Sequence, residues 1–235
     1  MTDTKNSEPL GRRLLGISSD KTRTPEEIRD AVYLSHGDVA AKGSRFWLLL
    51  VLSAGIATAG VISDSTATVI GAMIIAPLAT PIQGVAVAIT FGEVRPLIAS
   101  VTTLALAMAV VIATGFLLAL VLPELVPISQ NSQITGRVSP TIVDLVAAAV
   151  TGVAGSFAIA RRDIGDILPG VAIAISLVPP LAVVGVTAQG HDWDGALGAL
   201  VLFATNMLAI IVVGVIVFSG VQLIRGGRPQ PAISS

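Results

Sequence analysis

The chain of 235 residues contains no cysteine and few charged or aromatic side chains. The absence of cysteine excludes disulfide bonds and thiol chemistry. Charged residues make up only 12% of the sequence, about half the share of an ordinary soluble domain. The net charge of −1 provides no basic surface for nucleic acid. No nucleophile–base pair, metal-ligand cluster or phosphate-binding loop is apparent, so we expect neither an enzyme nor a bound cofactor or metal.

Positive charge is also missing from two long stretches, between Arg95 and Arg137 and between Arg162 and Arg225. The chain is 53% hydrophobic, with a mean hydropathy of +0.86. About 20 apolar residues suffice to cross the hydrocarbon core of a bilayer. The sequence therefore predicts an all-α polytopic membrane protein. The polar first 40 residues lack the apolar core of a secretory signal, so no cleaved leader is expected.

Six spans are predicted, three on each side of a polar connection at 123–139. A polar tail and a short amphipathic helix (1–43) precede the first repeat (44–122), and the second repeat (140–222) is followed by a C-terminal tail (223–235). The predicted spans are 48–62, 66–91, 97–122, 140–160, 168–188 and 195–221. If the N-terminus is cytoplasmic, 13 of the 14 Lys and Arg residues fall on the cytoplasmic side, and only Arg137 does not. The positive-inside rule thus predicts a plasma-membrane (inner-membrane) protein with both termini cytoplasmic.

The segment TPEE at 24–27 combines an N-cap, a proline at the first helical position and acidic residues in the first turn. Ile28, Val32 and Tyr33 then share one helical face. This pattern predicts a short amphipathic helix on the membrane surface or on a partner subunit. A solvated lead-in helix is compatible with the same pattern.

Prolines interrupt the second and fifth predicted spans. Pro77 and Pro81 lie in the second, and the adjacent Pro179 and Pro180 lie in the fifth. A helix broken inside a membrane persists only where protein or a water-filled cavity satisfies the freed backbone groups. We therefore expect a substrate or ion site there, although simple kinking is the alternative. The residues predicted to line it are Pro77, Thr80, Pro81, Gln83, Ser176, Pro179, Pro180 and Asn206.

Two carboxylates at span ends, Asp64 and Asp163, are possible coupling groups, although a carboxylate costs little at the interface. In the fourth span, Ala148, Gly152 and Ser156 form a stripe of small residues. Such a stripe permits close helix contact, either within one subunit or between subunits.

A shift of 99 residues aligns the second half of the chain with the first. It superimposes Asp64 on Asp163 and Pro81 on Pro180, together with the three spans of each half. Because each half has an odd number of spans, the halves must cross the membrane in opposite directions. This arrangement is typical of transporters built from inverted repeats, in which interrupted helices form the site near the midplane.

The proline segments resemble those of the DUF389 family of uncharacterised hydrophobic membrane proteins. The resemblance rests on IGAMIIAPL at 70–78 with PI at 81–82, on GVAIA at 170–174, on LVPPL at 177–181, and on Asn206. It covers about residues 44–220. It implies a membrane location and a compact multi-helix fold, but no established activity. Some members carry a larger soluble domain, whereas this chain has a short N-terminal lead-in.

The sequence favours a transporter-like protein in which the two interrupted helices meet around a small ion or solute and the repeats rock to give alternating access. One alternative is an oligomeric channel that packs through Gly/Ala faces. Another is a non-transporting scaffold or lipid-binding protein that acts through residues 24–42. The expected partners are membrane lipid, further copies of the chain in a homo-oligomer, and a small ion or solute, but not nucleic acid.

Overall fold

The computed structural model describes residues 22–122, 125–163 and 177–226, with side chains up to residue 223. These ranges are helical apart from connections and one isolated bridge between Thr22 and Arg161. A 3₁₀ turn occupies Ile128–Gln130. The α-helices in these ranges are α1 Pro25–Val32, α2 Val39–Ile62, α3 Thr66–Ile75, α4 Ala79–Phe91, α5 Val94–Val121, α6 Ser132–Thr135, α7 Ile142–Ala160, α8 Val178–Gln189 and α9 Trp193–Gly226.

The long helices have the length and composition of membrane spans. In the described ranges α2, α5, α7 and α9 could each cross a bilayer, and α3 with α4 would supply a fifth crossing that is bent by 47°. The apolar α8 is too short to cross alone. The first half of the predicted fifth span falls at 164–176, outside the described residues, so the count of six remains a prediction. The helices identify a membrane-embedded protein.

Helix α1 begins as its sequence indicates and packs on its own chain. The Thr24 hydroxyl accepts the backbone N–H of Glu27, and the Glu27 carboxylate accepts the N–H of Thr24, which together form a capping box. Ile28, Val32 and Tyr33 are buried in a cluster with residues of α4, α7 and α9. The apolar face of α1 is therefore covered within this chain, which differs from the expected contact with a membrane surface or a partner subunit.

Helix α2 begins at Val39, earlier than the predicted span, because the Asp38 side chain accepts the N–H of Ala41 and caps the helix. The polar connection expected at 123–139 is also partly folded. Asn131 donates from Nδ2 to the carbonyl of Val61 (2.7 Å), and its Oδ1 accepts backbone N–H groups at the start of α6. Long-range partners of this kind have no local sequence signal.

Four helices form a ring in the order α4, α5, α8, α9, in which each helix packs on its two neighbours. In this ring α4 and α8 lie at opposite corners. The contact between α5 and α8 is backbone to backbone, because a Cβ built on Gly185 would lie 2.6 Å from the Phe116 nitrogen. Outside the ring, α2 packs on α5 and α8, α3 packs on α2, and α7 packs on α9.

The bundle has two ends, and charged residues lie at both of them. The α1 end contains α1, Glu93 and the segment 161–163, since Glu27 of α1 pairs with Arg162 (2.7 Å) and Arg29 pairs with Glu93 (2.7 Å). The loop end contains 63–65, 125–141 and 190–192. Between them lies one apolar core of buried side chains from α2 to α9.

Candidate functional site

The break in the second predicted span is present, and the two prolines contribute to it differently. Helix α3 ends at Ile75 and α4 begins at Ala79, so Pro77 lies in the gap between them. Pro81 is the third residue of α4, where a backbone N–H would have no partner within the helix. The N–H of Thr80 donates to the Pro77 carbonyl (3.2 Å). Pro77 therefore lies at the 47° bend, whereas the buried Pro81 belongs to the restarted helix.

Helix α8 starts in the same manner. Val178 is its first residue, and Pro179 and Pro180 follow in the first turn, both buried. The missing N–H groups again fall where a helix has unpaired donors. Ser176, which was predicted to line the same site, lies outside the described residues.

Among the described members of the predicted set, Gln83 is the most deeply buried polar residue, with 1% of its surface exposed. Its Oε1 accepts a hydrogen bond from the Ser156 hydroxyl of α7 (3.0 Å). Its Nε2 has no hydrogen-bond partner within the described part of the chain. An unpaired buried donor is energetically costly, so this amide nitrogen is suited to a ligand that carries an acceptor oxygen.

A glycine of α9 makes room for this contact. A Cβ on Gly214 would lie 3.1 Å from Gln83 Oε1, 3.2 Å from Ser156 Oγ and 2.9 Å from Ala86 Cβ. We call Gln83, Ser156 and Gly214 the Gln83 junction, since it joins α4, α7 and α9. Replacing Gly214 by any residue with a side chain would therefore push α4, α7 and α9 apart.

The small-residue stripe of α7 is used within this chain. Gly152 packs against Ile210 of α9, with its Cβ position 3.1 Å from the Ile210 Cα, and Ser156 faces Gly214 one turn further along. Of the two interpretations of the stripe, the structure supports contact within the subunit. Close approach through small residues is the usual way for membrane helices to pack.

Asn206 lies on α9 and is separate from the Gln83 junction. It precedes Gly214 by eight residues, a rise of about 12 Å along a helix. Its Oδ1 is buried and has no hydrogen-bond partner among the described residues. The Asn206 Oδ1 is therefore a further buried polar atom without a described partner, nearer the loop end.

Helices α4 and α8 lie at opposite corners of the ring, whereas α3, the first half of the bent span, packs directly on α8. Helices α5 and α9 each contact both α4 and α8 and lie between them. Apolar side chains, among them Ile82 of α4 and Leu181 of α8, are fully buried in the core. Residue 176 lies outside the described residues, so the expected site lined by 76–83 and 176–181 remains a prediction, and Gln83 lies on the α7 side of the packed core.

Both candidate carboxylates lie at the ends of the bundle. Asp64, with φ of 51°, accepts the Ser132 hydroxyl (2.6 Å) and the N–H of Gln133 (3.1 Å) at the loop end. The hydrogen bond from Ser132, reinforced by Gln133, holds the pKa of Asp64 below its ordinary value. Asp163 pairs with Arg161 at the α1 end (2.6 Å). These contacts favour a structural role at the interface, the simpler of the two interpretations.

Two features of the site are not evident from the sequence. Ser156 is identifiable there only as a small residue of the stripe, because its partner Gln83 is 73 positions away. A cavity beside Pro81 is lined by residues of α2 and α5 that carry no recognisable motif. Only the packing of distant helices places these groups together.

Comparison with known proteins gives a family but no activity. The family profile described as "Domain of unknown function (DUF389)" matches residues 73–212. An uncharacterised protein of Methanocaldococcus jannaschii is 34% identical over 217 residues, which cover 91% of this chain and 66% of the relative. The chain therefore spans slightly less than two thirds of that relative. No solved structure matches the chain.

Proposed function

This chain belongs to the DUF389 family, and since that family's description names no activity, we propose a function from the geometry of the site. The protein is a non-enzymatic, transporter-like membrane protein that moves a small ion or solute past the Gln83 junction. The observation that carries this proposal is Gln83 itself. It follows a break inside an apolar span, is buried, and has an amide nitrogen without a partner among the described residues.

A polar group at this position is costly in a membrane protein unless it serves a purpose. Intramembrane polar side chains that face the bundle interior commonly mark ion or substrate pathways. The Gln83 Nε2 group offers hydrogen-bond donors to a small solute that carries an acceptor oxygen. Such a neutral group can hold a solute without any charged side chain.

The order and packing of the helices support a three-plus-three inverted repeat. Ala79 and Val178 are the first residues of α4 and α8, and Val94 and Trp193 are the first residues of α5 and α9; each pair is 99 positions apart. The helix contacts correspond as well. If α4 is matched with α8 and α5 with α9, the contact of α4 with α9 corresponds to the contact of α8 with α5, and both are present. These correspondences are expected if one three-helix unit occurs twice in opposite orientations.

The Gln83 junction lies where the proposed repeats meet. Gln83 belongs to the first repeat, whereas Ser156 and Gly214 belong to the second. Rocking of one repeat against the other would separate these residues and expose the amide first to one side and then to the other. The mechanism requires movement at this interface rather than a permanent pore.

We place the protein in the plasma membrane with both termini cytoplasmic, since Arg29 and Arg162 lie together at the α1 end while Arg137 lies at the loop end, bonded to Gln133. The exposed apolar faces of α5 and α7 would contact lipid or further copies in a homo-oligomer. The burial of the apolar face of α1 within the chain makes the scaffold alternative, which requires a free α1, less suitable.

Flux measured in proteoliposomes tests the proposal. Purified protein is reconstituted and assayed against a panel of monovalent ions, divalent ions and small neutral solutes. We expect saturable uptake of at least one member, reduced at least about tenfold by Gln83→Leu. The matched control is Gln189→Leu, which makes the same replacement at the loop end of α8 and should retain flux. Absence of flux for every solute with correctly folded protein would contradict the proposal.

A further inference from the structure

A cavity of about 250 Å³ lies between the α1–α2 connection, α2, α4 and α5. It is separate from the Gln83 junction, which faces α7 and α9. The described residues that form its walls combine apolar surface with polar groups and include no charged side chain. The residues that matter here are Ser35, Val39, Trp47, Pro81, Ser100 and Thr103.

Two hydroxyl groups of α5 line this cavity without a hydrogen bond in the described part of the chain. Ser100 is only 8% exposed, and Thr103 follows it one turn later on the same face. Their neighbours behave differently. Thr102 donates to the carbonyl of Ile98 (2.8 Å) and Thr114 donates to that of Val110 (2.8 Å). Ser100 and Thr103 therefore keep both donor and acceptor capacity for a molecule in the cavity.

The start of α2, which forms one wall of the cavity, carries residues typical of the boundary between lipid headgroups and acyl chains. Lys42 and Arg45 lie in the first two turns of α2, and Trp47 follows them on the cavity wall. Basic residues and tryptophan at the end of a span mark the membrane interface. Val39 and Ser35, at the mouth of the cavity, are exposed. A molecule can thus enter laterally from the interface.

We propose that this cavity binds the glycerol-ester region of a membrane lipid. The ester carbonyl oxygens would accept hydrogen bonds from Ser100 and Thr103, and the first methylene groups of the acyl chains would contact the apolar wall around Val39. The absence of charge on the walls suits this uncharged part of the lipid and leaves the headgroup outside. A small free polyol shares the hydrogen-bonding chemistry but lacks the apolar part.

The bound lipid would contact α4 directly, because Pro81 forms part of the cavity wall. It would also lie against the close contact between α4 and α5, where a Cβ on Gly84 would be 2.8 Å from the Ser100 hydroxyl. The inference does not depend on transport, since a protein that moves no solute could still hold this lipid.

Fluorescence of Trp47 tests the site. The chain has two tryptophans, so Trp193→Phe leaves Trp47 as the single reporter. The full chain in detergent is titrated with phosphatidylcholine that carries dibrominated acyl chains, which quench nearby indole. We expect saturable quenching. Ser100→Leu, which fills the cavity, should raise the half-saturating lipid fraction at least about tenfold, and Thr103→Val should raise it several-fold.

The matched control is Thr102→Val, which removes a hydroxyl from the same helix on an exposed face and should leave the titration unchanged. Equal titrations for all three variants, or quenching that rises linearly without saturation, would overturn the proposal. A titration with glycerol and no lipid tests whether the cavity binds a small polyol instead of a lipid. If millimolar glycerol alone shifts Trp47 emission and blocks quenching, the cavity is a solute site and not a lipid site. Should Ser100→Leu fail to fold, the nearly isosteric Thr103→Val decides.

Discussion

At the scale of single residues, Gln83 combines a stabilising contact with an unsatisfied one. Its Oε1 is bonded to Ser156, whereas its Nε2 has no partner in the described ranges. A protein optimised for stability alone would have an apolar residue at this position, because an unpaired buried donor reduces the free energy of unfolding. Retention of such a group at an interface between helices is consistent with a binding role.

This imbalance predicts different effects of two substitutions. Gln83→Leu removes the unpaired Nε2 but also the acceptor of the buried Ser156 hydroxyl, so the two effects should largely offset and leave thermal stability nearly unchanged. Ser156→Ala leaves Oε1 unpaired as well and should lower the free energy of unfolding by about 1 kcal/mol. Unfolding in detergent micelles measures both. A large loss of stability in Gln83→Leu would indicate that the residue is structural, and the functional interpretation of its amide would fail.

The contact between α5 and α8 depends on glycine. A Cβ on Gly185 would meet the carbonyl of Ile112 and lie 2.6 Å from the nitrogen of Phe116, both backbone groups that cannot move aside independently. Gly185→Ala should therefore destabilise the protein by about 1–3 kcal/mol.

Gly55→Ala is the control for this substitution. A Cβ at Gly55 of α2 has no neighbour within 4 Å, so alanine should be neutral or mildly stabilising through its better helix propensity. The comparison uses the thermal unfolding midpoint of each purified variant. Equal midpoints for the two variants would show that α5 and α8 are not in backbone contact.

Some residues of the site were predictable because their signal is local. A proline in the middle of a long apolar run, such as Pro77, interrupts the helix, and a glutamine in an apolar span is conspicuous. The partner of Gln83 was not predictable, since Ser156 is 73 positions away and serine is also an ordinary packing residue. The cavity beside Pro81 likewise depends on how α2 and α5 approach each other, which no short pattern encodes.

At the scale of elements, α1 links several helices of the bundle at one end. It is held to the α4–α5 connection through Glu93, which accepts a hydrogen bond from the Tyr33 hydroxyl (2.8 Å) and pairs with Arg29 (2.7 Å). It is held to the end of α7 by the pair between Glu27 and Arg162. Under the proposed repeat, α1 therefore connects both halves, and opening at this end would require these contacts to separate.

The pH dependence of α1 follows from Glu27. The hydrogen bond from Arg162, with that from the Thr24 backbone, lowers the pKa of Glu27 from 4.5 to about 2. Because the folded pKa lies below the ordinary value, its stabilisation is fully present above pH 4.5 and is lost as the pH falls toward 2. Hydrogen exchange of the α1 amides, corrected for the intrinsic rate, should accelerate across this window.

Arg162→Gln removes the main cause of the shift and should make α1 exchange faster already at pH 6, with little further dependence on acid. The remaining helices serve as internal controls. If the α1 amides of wild type and Arg162→Gln exchange at the same rate at pH 6, the ion pair does not hold α1 in place. The position of α1 would then depend on the apolar burial of Ile28 and Val32 alone.

Element boundaries were predictable where a capping residue or a break lies in the sequence. The start of α1 follows from TPEE at 24–27, and the end of the second span at Phe91 follows from the glycine after it. The early start of α2 was missed because Asp38 caps the helix ahead of Lys42 and Arg45, whereas the prediction began at the apolar run that follows them. The folded segment 128–135 was missed because long-range hydrogen bonds to Val61 and Asp64 organise it.

At the scale of the whole molecule, the ring of α4, α5, α8 and α9 places the proposed repeats against each other through two related contacts, α4 with α9 and α5 with α8. A direct meeting of the two proline segments was expected from the general plan of inverted repeats. Within the described residues, α8 packs on α3 of the first interrupted span, and backbone contact at Gly115 and Gly185 packs α8 on α5 as well. Which helices lie next to each other depends on such contacts and not on the order of spans.

The central claim is that the Gln83 junction opens to water on both sides of the membrane in turn. The natural chain has no cysteine, so Gln83→Cys introduces a single thiol that a membrane-impermeant reagent can detect in proteoliposomes. Ser63→Cys, exposed at the loop end, and Ala199→Cys, fully buried in α9, give the upper and lower limits of reactivity. We predict modification of Cys at position 83 from either face, at rates between these limits. Reactivity from neither face, equal to that of Ala199→Cys, would contradict the account.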